Sequence, residues 1–124
     1  MDLGTLIWLH QRIGNAVPIF MILLGVLSLI NYIRGLGVDG NILGAVVIGQ
    51  ILMVVQVVLG LVLWASGMAP ARFIHFLYGF LTILTFPALW VYTRGAMDRR
   101  ASLIWALAGL FMMGLALRAI GTAT

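Results

Sequence analysis

The sequence contains no cysteine, no lysine and no glutamate, and only two histidines. Without cysteine, disulfide bonds are excluded and no thiol indicates the redox compartment. Charged residues make up 8% of the chain and hydrophobic residues 64%, which leaves too little polar surface for an ordinary soluble domain. The net charge of +4 is not gathered on any soluble segment long enough to bind nucleic acid.

Most of the sequence consists of long apolar runs. Four of them, roughly residues 6–33, 42–65, 73–92 and 103–120, are each close to or above the length of about 20 residues that a helix needs to cross a bilayer. The runs do not alternate as the strands of a membrane barrel do. The sequence therefore predicts an all-α fold, an integral membrane four-helix bundle in a single domain. We do not expect the first run to be a signal peptide, because it is long and lacks a basic leading segment.

The arginines predict an orientation. Loops one and three carry four of them and the other side carries three: Arg34, Arg94, Arg99 and Arg100 against Arg12, Arg72 and Arg118. Two of the second group flank the histidines and are set aside for that reason. The positive-inside rule then predicts that loops one and three are cytoplasmic and both termini outside. We expect the plasma membrane of a prokaryote.

The two histidines occur in similar surroundings. His10 lies in WLHQRIG and His75 in FIHFLYG, and a glycine follows each four residues on, Gly14 and Gly79. Spans one and three run in the same direction, so we expect the imidazoles at equal depth on parallel neighbouring helices, near the outer face. Two imidazoles placed in this way can be the axial ligands of one haem iron.

The residues around the histidines also suit a haem. Glycines on the same helix face leave room for a flat macrocycle, and arginines at the water interface can pair with its propionates. The residues predicted for these roles are Gly14 and Gly79, Gly60 and Gln56 from span two, and the arginines Arg12 and Arg72.

Three motifs resemble the haem A synthase family, in which each half of the protein is a four-helix bundle. The first is HQRIG (10–14), which is similar to the family's first histidine motif with one residue inserted before the arginine. The second is QVVLG (56–60), which matches the family's second motif. The third is WASGMAPARFIHFLYG (64–79), which resembles the loop before the family's second histidine. The resemblance covers about residues 5–90 and implies one half of such a protein, with haem b held by both histidines. The family's glutamate is Ile7 here, so its oxidation chemistry is not carried over.

Together these patterns predict a small membrane cytochrome b that carries electrons rather than an enzyme. It would work as a subunit of a larger respiratory or photosynthetic complex, or as a homo-oligomer. Bacteriochlorophyll bound by the histidines and a cofactor-free structural subunit are the alternatives. A quinone near Gln50, Gln56 or Tyr78 is a further candidate partner. A proton-coupled transporter is disfavoured, because all three aspartates lie outside the spans.

Overall fold

The chain folds into helices alone. The computed structural model describes residues 2–123, which form four helices and no strand. The helices are α1 (Leu3–Ile33), α2 (Gly40–Ala65), α3 (Ile74–Thr93) and α4 (Arg99–Ala123). All four are long and apolar enough to cross a membrane. The predicted all-α fold is confirmed, and the four apolar helices are consistent with an integral membrane protein.

Three of these helices begin directly after an aspartate. Asp2, Asp39 and Asp98 each accept a hydrogen bond from the backbone N–H three residues on, at 2.7, 3.0 and 2.9 Å. Such N-caps satisfy one of the free N–H groups in the first turn. The helices therefore begin earlier than the apolar runs do. In α4 the difference is largest, since the helix begins at Arg99 although the apolar run begins at residue 103.

The chain runs up and down, so its connections lie at two ends of the bundle. The histidine end consists of the start of α1, residues 66–73 and the end of α4. The opposite end consists of residues 34–39 and 94–98. At the histidine end, the Arg72 N–H donates to the Thr122 carbonyl at 3.1 Å, which ties the connection between α2 and α3 to the last turn of α4.

The order of the helices around the bundle differs from the sequence prediction. α1 and α3 each pack against α2 and α4, but no Cα of α1 lies within 8 Å of a Cα of α3 in residues 2–123. The expectation that these helices are neighbours is therefore wrong. α4 lies beside α1 instead. The two helices are so close that a Cβ added to Gly109 would come within 2.6 Å of the Gly25 backbone nitrogen. Small residues allow membrane helices to approach this closely.

A proline shapes the contact between α2 and α3. Pro87 lies inside α3 and has no N–H, so the Ile83 carbonyl one turn earlier loses its partner in the helix. Gln50 of α2 replaces that partner, since its Nε2 donates to the Ile83 carbonyl at 3.0 Å. α3 continues through the proline because a neighbouring helix satisfies the freed group.

Candidate functional site

The two histidines meet in the interior of the histidine end. His10 lies two turns into α1, and His75 is the second residue of α3. Their ring centroids are 6.3 Å apart and the ring planes cross at 75°. Both side chains are half-buried. Because α1 and α3 lie on a diagonal, the rings approach each other across the bundle rather than side by side.

The start of α3 is held in place by α4. No side chain caps α3. Instead, the backbone N–H groups of Ala71 and Arg72 donate to the carbonyls of Ala123 and Thr122, both at 3.1 Å. The His75 N–H in turn donates to the Arg72 carbonyl at 3.0 Å. The residues just ahead of His75 are thus fixed to the last turn of α4.

The same turn of α4 orients the His75 ring. Its Nδ1 lies 2.7 Å from the Ala119 carbonyl oxygen and 3.3 Å from Thr122 Oγ1. A carbonyl oxygen only accepts, so Nδ1 carries the hydrogen and the neutral ring keeps its lone pair on Nε2. Metal-binding histidines are commonly oriented in this way, with the second nitrogen donating to a carbonyl or a carboxylate.

His10 is positioned by α2. Gln56 Nε2 donates to the backbone carbonyl of His10 at 2.7 Å. Gly60 lies against the imidazole, where an added Cβ would come within 3.2 Å of Cε1. The ring's Nδ1 is buried and has no hydrogen-bond partner in the part of the chain that the structure describes. Leaving a buried polar atom unpaired costs about 1–3 kcal/mol, so this nitrogen destabilises the fold locally.

The glycines that follow the histidines have different surroundings. An added Cβ at Gly14 would lie 2.8 Å from Gln56 Nε2, so the missing side chain makes room for that amide. At Gly79, no atom of residues 2–123 outside its own helical backbone lies within 4 Å of the Cβ position. The space beside Gly79 is therefore open, whereas Gln56 fills the corresponding space at Gly14.

The two predicted arginines lie on the surface of the histidine end. Arg12 is exposed, and its guanidinium carbon lies 5.5 Å from the centroid of the Trp8 ring. Arg72 is exposed as well, and the bond that it makes to α4 uses its backbone rather than its side chain. Of the predicted site residues, Gln56 and Gly60 contact His10 directly, and the arginines surround the site from outside.

Two residues of the site were missed in the sequence. Ala119 contacts His75 through a backbone carbonyl, which leaves no signal in the residue type. Thr122 is buried and donates to the carbonyls of Arg118 and Ala119 at 3.0 and 3.1 Å, a common bond for threonine in a helix. Only its position in the chain, on the membrane side that carries the histidines, could have suggested it.

The site offers a pair of ligands rather than a complete coordination shell. Within residues 2–123, no three side chains of His, Cys, Asp or Glu come together to hold a metal ion. Two imidazole lone pairs can complete the coordination of a metal that arrives with other ligands already in place. No family model, no curated protein and no solved structure matches the chain.

Proposed function

We propose that the chain is a membrane cytochrome b, in which His10 and His75 hold one haem b between α1 and α3. The convergence of the two histidines from diagonal helices is the observation that carries the proposal. A metal bound in line between two imidazole nitrogens, about 2 Å from each, separates the ring centroids by about 6 Å. The observed separation is 6.3 Å.

An edge-to-face contact without a metal gives a similar distance, since such aromatic pairs lie about 4.5–7 Å apart. One feature favours a ligand over this simpler explanation. His75 keeps its hydrogen on Nδ1, against the Ala119 carbonyl, and so has a free lone pair on Nε2. A purely structural contact does not require this orientation.

The surroundings of the histidines suit a haem. Open space lies beside Gly79, and α2 and α3 make the sparsest contacts of any two adjacent helices. Exposed guanidinium groups of Arg12 and Arg72 are available at the same end for propionates. Haem b would supply one-electron redox chemistry there, with His10 and His75 as its protein ligands. The resemblance to haem A synthase supports the same ligands.

The role of the chain's own residues would then be positioning. The histidines would bind the iron, and the Ala119 carbonyl fixes the tautomer of His75. Gln56 and Gly60 place His10, and the apolar helices keep water from the ring. An electron carrier built in this way needs a donor and an acceptor, so its partners would be other subunits of a respiratory or photosynthetic complex in a prokaryotic plasma membrane. Four of the seven arginines lie at the opposite end, which favours placing the histidine end outside.

Absorption spectroscopy tests the proposal on protein purified after expression with ample haem. We expect a low-spin spectrum that pyridine treatment identifies as haem b. His10→Gly and His75→Gly should each lose that spectrum, because within residues 2–123 no other histidine replaces the lost ligand. Added imidazole should restore it by filling the vacated space, which an unfolded variant could not do.

Two results would contradict the proposal. One is a wild-type protein that takes up no haem, and the other is an unchanged low-spin spectrum in either histidine variant. Red or near-infrared absorption would identify a bacteriochlorophyll instead.

A further inference from the structure

A second candidate site lies at the opposite end of the bundle, away from the histidines. A cavity of about 360 Å³ opens between the end of α3 and the first turns of α4. Its wall includes Tyr92, Arg94 and Arg100, and Ile104 lines its apolar side. Cavities of this volume are in the range that accommodates small ligands.

The positive charges at the cavity are available to a ligand. Arg94 and Arg100 are both exposed, and Arg100 Nη2 lies 3.3 Å from the Tyr92 hydroxyl. The neighbouring Arg99 is engaged elsewhere, since its Nε donates to the Tyr32 carbonyl at 2.8 Å and its guanidinium lies over the Tyr32 ring. Two arginines therefore line the cavity, Arg94 directly after α3 and Arg100 in the first turn of α4.

The single carboxylate that lines the cavity already serves the helix. Asp98 Oδ1 accepts a hydrogen bond from the Ala101 N–H at 2.9 Å, which caps α4. The cavity thus combines two arginines with one carboxylate that is occupied as a cap. The excess of positive charge favours binding of an anion. The guanidinium group of arginine can donate two parallel hydrogen bonds to the oxygens of a phosphate group.

The backbone at Arg94 is unusual for an arginine. Arg94 follows the last residue of α3 as its C-cap in the left-handed conformation, with φ 53° and ψ 36°, and Gly95 comes next with φ 69°. Glycine or asparagine adopts this conformation more easily than a long side chain does. The chain nevertheless has a guanidinium at this position, on the rim of the cavity.

The cavity also lies where lipid headgroups are expected. It stands at the end of an apolar helix, and the last turns of that helix expose Trp90 and Tyr92. Tryptophan and tyrosine are enriched at the boundary between lipid and water. A ligand in the cavity would have phosphate-binding groups on one side and the exposed apolar surface of α3 and α4 on the other.

We propose that this cavity binds the phosphate group of an anionic phospholipid, with Arg94 and Arg100 donating to its oxygens and the Tyr92 hydroxyl beside them. The acyl chains would lie along the apolar surface that begins at Ile104. The proposal does not depend on a haem at the other end of the bundle.

Native mass spectrometry of the purified full chain in detergent tests the site. We expect adducts on titration with phosphatidylglycerol and far fewer with phosphatidylcholine, whose headgroup carries no net charge. Arg94→Gln and Arg100→Gln should each weaken phosphatidylglycerol binding about fivefold, the usual contribution of one arginine near an anionic lipid. Arg34→Gln is the matched control, because Arg34 is exposed at the same end but does not line the cavity.

Arg94→Gly separates lipid binding from folding. Glycine suits the left-handed conformation at this position, so the variant should unfold at the same temperature as the wild type or higher and still bind the lipid more weakly. Full lipid binding by Arg94→Gly would overturn the proposal.

Three further results would also overturn it. An equal loss of phosphatidylglycerol binding in Arg34→Gln would mean that any exposed arginine at this end contributes as much as those that line the cavity. Equal binding of phosphatidylcholine would remove the role of the anion. Displacement of the lipid by inorganic phosphate at equal concentration would show that the site takes a free phosphate.

Discussion

His10 and His75 look equivalent in the sequence and are held differently in the structure. The ring of His75 is tied to a carbonyl of α4, whereas His10 is held through its backbone by Gln56 of α2. The glycines that follow them differ in the same way, since Gln56 fills the space at Gly14 and the space at Gly79 is open. The open side of the proposed haem site is therefore the side of α3.

Gly79→Leu should prevent haem binding and leave the apoprotein about as stable as the wild type, because the new side chain enters open space. Gly14→Leu is the comparison. Its side chain would displace the Gln56 amide, and the loss of that hydrogen bond, worth about 1 kcal/mol, should lower the unfolding midpoint even without haem. Haem absorbance and thermal unfolding in detergent measure the two effects. Full haem content in Gly79→Leu would show that this glycine serves only helix packing.

The exposed arginines should raise the midpoint potential of the proposed haem. Arg12→Gln or Arg72→Gln removes a positive charge near the proposed iron site, which should favour the oxidised form and lower the midpoint potential by roughly tens of millivolts. The shift should shrink in high salt, because both groups are exposed. Redox titration measures it. Arg100→Gln, at the opposite end, should change nothing, and an equal shift there would mean that the haem lies elsewhere.

At the scale of the helices, the sequence predicted how many there are but not how they pack. Apolar runs suffice for the number, because a chain in lipid must satisfy its backbone within each helix. Their packing depends on particular fits such as Gly25 against Gly109, which cannot be recognised among fifteen glycines. For the same reason the contact of His75 with the end of α4 could not be foreseen. For α1, α2 and α4 the apolar runs also placed the start too late, because the capping aspartates lie outside those runs.

The bond between Gln50 and Ile83 should depend on the proline in α3. Gln50→Leu leaves the Ile83 carbonyl without a donor, which should destabilise the fold by about 1–3 kcal/mol. Pro87→Ala supplies a helical N–H to that carbonyl, so the same Gln50 substitution should cost less in a chain that carries Pro87→Ala. A double-mutant cycle of unfolding free energies in detergent measures the coupling. Strictly additive effects would mean that the amide and the proline act independently.

At the scale of the whole molecule, the charges are divided by role. The three aspartates cap helices, whereas arginines are exposed at both ends of the bundle. The backbone N–H of Ile42 and the Asn31 amide hold the pKa of Asp39 below its ordinary value. Hydrogen bonds from Thr5 lower the pKa of Asp2 in the same way. The fold therefore favours the ionised form of both carboxyls.

Stability should fall in acid for this reason. A carboxyl whose pKa is lowered by folding stabilises the protein above its unfolded pKa, and this contribution is lost as the pH falls through the folded pKa. The contribution of these two carboxyls to the unfolding midpoint should be lost below about pH 4, and it should be small because the groups are exposed. Asp39→Asn keeps a capping side chain and should weaken the dependence. An identical acid response in that variant would exclude Asp39 as its source.

His75 is synthesised well before the residues that orient it. Ala119 and Thr122 follow it by 44 and 47 residues, and the connection ahead of His75 is fastened to the same turn of α4. At about 5–20 residues per second, a ribosome needs a few seconds to cover that distance. Until those residues are made, the ring of His75 has neither its hydrogen-bond partner nor its anchor. The packing of α4 against the start of α3 is thus the step that completes the site, and the proposed cofactor would be acquired after that step.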